Sequence, residues 1–193
     1  DEAGNTGSCS IVVNVDNKKP TKPVITGGSN NWINGTRTIS VSEESNAFSG
    51  VRNYQYYVST SSTTQTGGKW IDLTSGTKAV IIAENGTHYI YFRAINNAGV
   101  AGEISAPQTT KIDTNQLDIP GVSGESTTWV STSRTFTMTA PSSISGIKQY
   151  EYYVSNSSTK PANNVTVTGT STSTSINIAT TGTYVYFKVV NNA

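Results

Sequence analysis

Residue types that could do chemistry are scarce in this chain, and they do not gather. His88 is the one histidine. A nucleophile–His–acid set needs a histidine oriented by a carboxylate. The later half of the sequence deletes the position of His88, so it reads as a strand-edge residue. Glu43 and Glu44 are adjacent acids. A glycosidase needs two carboxyl groups flanking a sugar bond, but this pair lies beside a turn and has no later counterpart. No catalytic residue is expected. Asp16, Asp113 and Asp118 fall in linker-like stretches. Calcium takes about six to eight oxygen ligands, more than these carboxylates supply, so each reads as a solvated linker residue. No Cys/His cluster suits zinc. Neither metal nor cofactor is expected. Cys9 has no second cysteine to pair with. It reads as a buried, small apolar side chain, or else as a partner for an intermolecular disulfide. The Asn-x-Ser/Thr sites at Asn34, Asn85, Asn156 and Asn164 matter only in a host that glycosylates them.

Aromatic residues offer the better binding chemistry. Trp32 and Trp129 recur at equivalent places, which fits packing in the core or at its rim. Trp70 has no counterpart and is the candidate for an exposed contact. Tyrosine combines apolar area with a hydroxyl, which suits recognition surfaces. Side chains alternate between the two faces of a strand. If Ile90, Phe92 and Ala94 point inward, Tyr89, Tyr91 and Arg93 point outward or to the rim, beside Gln55 and Tyr57. The same face recurs as Tyr184, Tyr186 and Lys188 beside Glu151 and Tyr153. The candidate binding set is Trp70, Tyr57, Tyr91, Arg93, Tyr153, Tyr186 and Lys188. The competing reading is cross-strand pairing that stabilises the sheet. Tyr89 or Tyr184 is a candidate tyrosine corner.

The elements that must hold these residues are strands. Charged residues are 13% of the 193 and hydrophobic residues 34%, against about 25% and 45–50% in ordinary domains. Leucine appears only at Leu73 and Leu117; Val, Ile, Thr and Tyr do the apolar work, and they favour pleated surfaces. The net charge of +1 argues against nucleic acid or an anionic membrane as partner. No apolar run nears the ~20 residues that span a bilayer.

An internal repeat organises the rest. Asn31–Thr38 recurs as Thr128–Thr135, Ser49–Ser59 as Ser145–Ser155, and Tyr89–Ala98 as Tyr184–Ala193. Asp1–Gly7 aligns with Asn96–Gly102, and Val15-Asp16 with Ile112-Asp113. Residues 1–16 are therefore expected to be the last strand of a preceding or neighbouring repeat. Residues 17–113 are one complete repeat. Residues 114–193 are a second that lacks its last strand. Strands are expected at 23–26, 36–42, 53–59, 69–73, 79–83, 88–95 and 106–113. Asn34-Gly35, Ser49-Gly50, Gly67-Gly68 and Asn85-Gly86 supply turns. Seven strands at this spacing predict an all-β chain of tandem antiparallel, immunoglobulin-like β-sandwiches.

The Tyr-x-Tyr strands, the closing Asp1-Glu2-Ala3-Gly4-Asn5 turn and the Val15–Pro23 joint resemble tandem bacterial immunoglobulin-like repeats, which are similar to fibronectin type III modules. The resemblance implies an extracellular, cell-surface or cell-wall location and a structural or adhesive role: stalk, filament or adhesin spacer. Partners are then neighbouring repeats or copies of the same chain. A glycan- or host-protein-binding module is the second reading, and an accessory domain of a secreted hydrolase the third. An isopeptide crosslink, known in related domains, needs a Lys, an Asn and an acid; Asn96 and Asn97 lack a repeated core-facing Lys or acid. Finally, Ile11, Val13 and Val15 alternate as a strand with no repeat of its own. They are expected to complete the second repeat of another molecule by strand donation.

Overall fold

The computed structural model describes residues 2–63, 68–162 and 166–193, and among these no helix forms. Alternating β-branched and aromatic residues give eight strands in the first repeat. They are β1 (Val24–Thr26), β2 (Trp32–Ile33), β3 (Arg37–Glu43), β4 (Val51–Ser59), β5 (Ile71–Asp72), β6 (Ala79–Ile82), β7 (Gly86–Asn96) and β8 (Gln108–Ile112). Six follow in the second: β9 (Gly121–Ser123), β10 (Arg134–Thr139), β11 (Ile147–Ser155), β12 (Gly169–Ser171), β13 (Ser175–Ile178) and β14 (Tyr184–Asn191). The fourth expected strand shrinks to two residues and the last begins at Gln108. The two-residue β2 was not anticipated. It pairs parallel with β8, Trp32 opposite Lys111 and Ile33 opposite Ile112.

Each repeat contributes two sheets. In the first they run β1-β3-β6 and β2-β8-β7-β4-β5; in the second, β9-β10-β13 and β12-β11-β14. This is the all-β, immunoglobulin-like sandwich expected. By backbone proximity the chain divides into two compact units, Asp1–Gly27 with Thr38–Val80 and Tyr89–Gln108, and Gly28–Arg37 with Ile81–His88 and Thr109–Ala193. That division does not follow the sequence period.

The inner faces are those the alternation predicts. In the first repeat Ile25, Ile39 and Ile82 on one sheet and Tyr54, Ile90, Phe92, Ala94 and Ile112 on the other are buried. In the second, Met138, Ile176 and Ile178 join Tyr150 and Val189 in one apolar cluster. Phe136 and Phe187 meet there with ring centroids 5.4 Å apart. β4 and β11 carry the same irregularity: the register with their long partner shifts between Val51 and Asn53, and between Ile147 and Gln149. One added residue tightens the local twist and sets the neighbouring Ser-Gly turn at the strand's entry.

Residues 8–15, expected as a strand, pair with no described strand of this chain. Ile11, Val13 and Val15 are 82, 69 and 71% exposed. Cys9, expected to be buried, is exposed for the same reason.

Candidate functional site

The outward face of β4 and β7 places Gln55 opposite Arg93 and Tyr57 opposite Tyr91. β5 adds Asp72 opposite Gln55. The side chains then bind one another. Arg93 Nε donates to Gln55 Oε1 at 2.7 Å, and Gln55 Nε2 to Asp72 Oδ1 at 2.9 Å. Asn53 Nδ2 reaches the same Asp72 oxygen at 2.7 Å. Gln55 first, then Asn53, hold the Asp72 carboxyl below its usual range. Trp70 lies on Tyr57, centroids 5.8 Å apart, with the Arg93 guanidinium 4.3 Å from its ring centre. Burial lowers the Arg93 pKa and Asp72 partly restores it.

Two expectations are corrected here. Trp70 is half-buried rather than exposed, because it covers Tyr57 and Arg93. Tyr91 keeps its place on the outward face but is fully buried there rather than open to solvent. Its ring stacks on Tyr57, and its hydroxyl donates to the Ser62 carbonyl at 2.7 Å. The loop after β4 folds back over it. The second repeat does the same: the Tyr186 hydroxyl donates to the Ser157 carbonyl at 2.9 Å. The loop-anchoring hydroxyls are thus those of Tyr91 and Tyr186, not of the corner candidates Tyr89 and Tyr184. Tyr153 and Tyr186 are half-buried, while exposed Lys188 pairs with Glu151 at 3.1 Å. The face is largely occupied by its own contacts.

A second constellation was not foreseen as a unit. Asp16 and Asp113, expected to be solvated, are buried, whereas Asp118 is exposed. Asp16 Oδ2 accepts from the Ser49 amide at 2.9 Å and from Asn96 Nδ2 at 2.8 Å; Oδ1 accepts from the Lys18 amide at 3.0 Å. Asp113 Oδ2 accepts from the Ser145 hydroxyl at 2.7 Å, the Ser145 amide at 3.2 Å, the Ser143 hydroxyl at 3.2 Å and Asn191 Nδ2 at 3.1 Å. Its Oδ1 takes the Asn115 amide at 3.2 Å. The second asparagine of each Asn-Asn pair closes the turn. The Asn97 amide donates to the Gly50 carbonyl at 3.1 Å and the Asn192 amide to the Gly146 carbonyl at 3.2 Å. Gly50 and Gly146 have φ of +84° and +75°, a conformation glycine alone adopts at no steric cost.

A buried carboxylate stays ionised when donors surround it. For Asp16 the neighbouring Ser49 side chain is the largest influence holding the pKa down, although its hydroxyl makes no hydrogen bond of standard geometry. Burial opposes it, and the Lys18 and Ser49 amides and Asn96 lower the value further. For Asp113 burial is the largest single influence and raises the pKa. The Ser145 hydroxyl, the Asn115 and Ser145 amides and the Ser143 hydroxyl together outweigh it, leaving the carboxyl below its ordinary range. Two hollows of about 320 and 540 Å³ border these latches, one lined by Asp113, Leu117 and Ser143, the other by Asp16, Phe48 and Asn97. An acid therefore does stand against Asn96, contrary to the expectation for the isopeptide set; its partner there is the Lys18 carbonyl at 3.2 Å. The arrangement stabilises a carboxylate and activates no nucleophile. The joint recurrence of Asp, Ser-Gly and Asn-Asn at one period was the available signal.

The remaining candidates sit apart. His88 is buried in β7, with Nε2 3.3 Å from the Asn85 carbonyl. Glu44 pairs with Lys78. Asn85 is engaged at both ends of its amide, by Thr114 and Asn115, while Asn34 and Asn156 are exposed. Asn164 and Gly67 lie outside the described residues. Trp32 is half-buried on β2 as expected, but Trp129 is 81% exposed, because no strand equivalent to β2 forms around it. Among the described residues no group of three or more His, Cys, Asp or Glu side chains could hold a metal ion.

No protein-family model and no curated protein matches the chain. Among solved structures it is similar to the FN1–FN3 domains of chicken CNTN1, with 13% identity over 90% of this chain and 58% of that one, at a TM-score of 0.33. It is also similar to the central fibronectin-III array of RIM-binding protein, with 16% identity over 92% and 60% and a TM-score of 0.31. The chain thus spans less than two thirds of the length of either.

Proposed function

We propose that the chain is a non-catalytic stalk or spacer segment of an extracellular repeat protein of a bacterial surface. The supporting observation is the latch. In both repeats the aspartate at the entrance is buried and saturated by donors from the Ser-Gly turn and the Asn-Asn end of the long strand. Residues that would be free linker in a loosely tethered binding module are instead tied down. The outward tyrosines serve the same end, since their rings and hydroxyls hold loops rather than face solvent.

Single-molecule extension of the chain between two handles tests this. A spacer built of independent repeats gives a separate unfolding event for each repeat. The 97 residues of 17–113 and the 80 of 114–193, at about 3.3–3.6 Å each, correspond to about 33 and about 27 nm. Lowering the pH below the carboxylate range reduces the force of these events. One collective event, or forces indifferent to Asp113→Ala, would sink the reading. A glycan array probed with the same protein separates it from the binding-module alternative: specific retention on any glycan supports the latter.

A further inference from the structure

We propose that β6 of the first repeat pairs antiparallel with β6 of a second copy of this chain, closing a two-fold dimer through one shared sheet. The proposal goes beyond the stalk reading and does not depend on it. β6 is the outer strand of its sheet, β1-β3-β6, and among the described strands nothing pairs with its other side. The Lys78 carbonyl accepts the Val41 amide of β3 at 2.8 Å. By period two, Val80 and Ile82 also turn their backbone groups to β3, while Ala79, Ile81 and Ala83 turn theirs to the outer side. These same three residues are exposed, Ile81 by 67%, whereas Ile82 is buried. An edge that is apolar along its middle is a template for pairing.

The occupant follows from the sequence, Lys78-Ala79-Val80-Ile81-Ile82-Ala83-Glu84. Laid antiparallel on itself with Ile81 opposite Ile81, it sets Ala79 against Ala83 and Val80 against Ile82. Lys78 of each copy then stands opposite Glu84 of the other. Any other antiparallel register separates these charges, and a parallel one in register sets like charges together. The pairs that exchange backbone hydrogen bonds are Ile81 with itself and Ala79 with Ala83, the residues whose backbone faces outward. Lys78 pairs with Glu44 in its own chain, and its ammonium has three donors to share. The second repeat lacks this edge. Its counterpart is Thr174-Ser175-Ile176-Asn177-Ile178-Ala179-Thr180, and the Thr174 carbonyl takes the Met138 amide at 2.8 Å in the same way. Buried Ile176 and Ile178 keep the places of Val80 and Ile82, but Asn177 stands for Ile81 and threonines stand for both charges. Packing within a repeat therefore calls for the inner pair alone. A patch that pairs with itself is isologous and stops at two copies. One strand pair is a small contact, so a weak dimer is expected.

Static light scattering of the 193-residue protein, over a concentration series up to about 1 mM, tests the proposal. The mass is expected to rise toward that of a dimer and no further. Ile81→Lys, at an exposed position, should stay monomeric with an unchanged far-UV spectrum. Lys78→Glu and Glu84→Lys each set like charges opposite one another, and each should weaken the dimer about tenfold. An equimolar mixture of these two variants restores opposite charges at both ends and should associate where neither does alone. A parent protein that is monomeric throughout overturns the proposal. So does assembly that survives Ile81→Lys or continues past the dimer, or a mixture that associates no better than its components.

Discussion

β7 and β14 carry nearly the same pattern, Tyr-x-Tyr-Phe followed by a closing Asn-Asn, yet their environments differ. In β7, Ile90, Tyr91, Phe92 and Ala94 are wholly buried. In β14, Val185, Tyr186 and Phe187 are half-buried and Tyr184 is 41% exposed. The strands differ in their neighbours. β7 lies between β8 and β4; among the described strands, β14 is paired with β11 alone. Burial of a strand is thus a property of the sheet, and the same alternation yields a different core when a strand has one described neighbour instead of two.

Phe92→Ala probes the comparison most strongly. Truncating a fully buried phenylalanine costs about 3–5 kcal/mol. Phe187→Ala should cost clearly less, because that ring is only partly buried. Urea melts that report the two repeats separately measure both. Equal losses would show that β14 is as well covered as β7.

The aspartate latches come next. Asp113→Ala leaves the Ser145 amide and Asn191 side chain without their acceptor, and an unmade buried hydrogen bond costs about 1–3 kcal/mol. The same substitution at Asp16 should destabilise the first repeat. Both carboxyls titrate below the unfolded value of 3.8. The unfolded chain therefore binds protons first as the pH falls. The stability the latches contribute is complete above that value and is lost as the pH drops through the lower folded pKa. Melting curves between pH 6 and 2 should converge for wild type and Asp113→Ala. Curves that stay parallel to the acid end would show that the carboxylate charge is irrelevant.

Tyr91→Phe and Tyr186→Phe remove matching hydroxyl bonds, worth about 0.5–1.5 kcal/mol each. The loss should be larger at buried Tyr91. The smallest effect belongs to the outer pairs. The Glu151–Lys188 pair, whose lysine is exposed and whose glutamate is half-buried, contributes about 1 kcal/mol and weakens in salt. The Gln55–Arg93 bond is charge-assisted on one side only. Added salt should lower the melting point of Lys188→Met less than that of wild type, and leave Gln55→Ala behaving as wild type does.

The core was legible because alternation is a local property. Ile39, Tyr54, Ile90, Phe92, Met138 and Val189 follow directly from period two. Tyr91 was not legible: its burial depends on the Ser61-Ser62 loop returning from some 30 positions away. Trp70 likewise depends on a partner on another strand. The repeat alignment placed Trp32 with Trp129, but equal sequence could not reveal that only Trp32 has a strand beside it. The latches were visible as three repeated polar motifs. Reading the aspartates as solvent-facing linker followed from considering each motif by itself, when their chemistry makes sense only together.

The span of the latch has a consequence for synthesis. Asp16 leaves the ribosome 80 residues before Asn96, and Asp113 78 residues before Asn191. At about 5–20 residues per second the aspartate waits roughly 4–16 s for its partner. A contact of such high order is expected to form late, after the sheets that carry it, because its loop-closure entropy is the largest. Late contacts are felt in unfolding rather than in folding rates. In stopped-flow experiments the Asp113→Ala change should steepen escape from the native state while leaving the refolding arm nearly unmoved, which makes the latch a seal on a finished repeat instead of a seed for it.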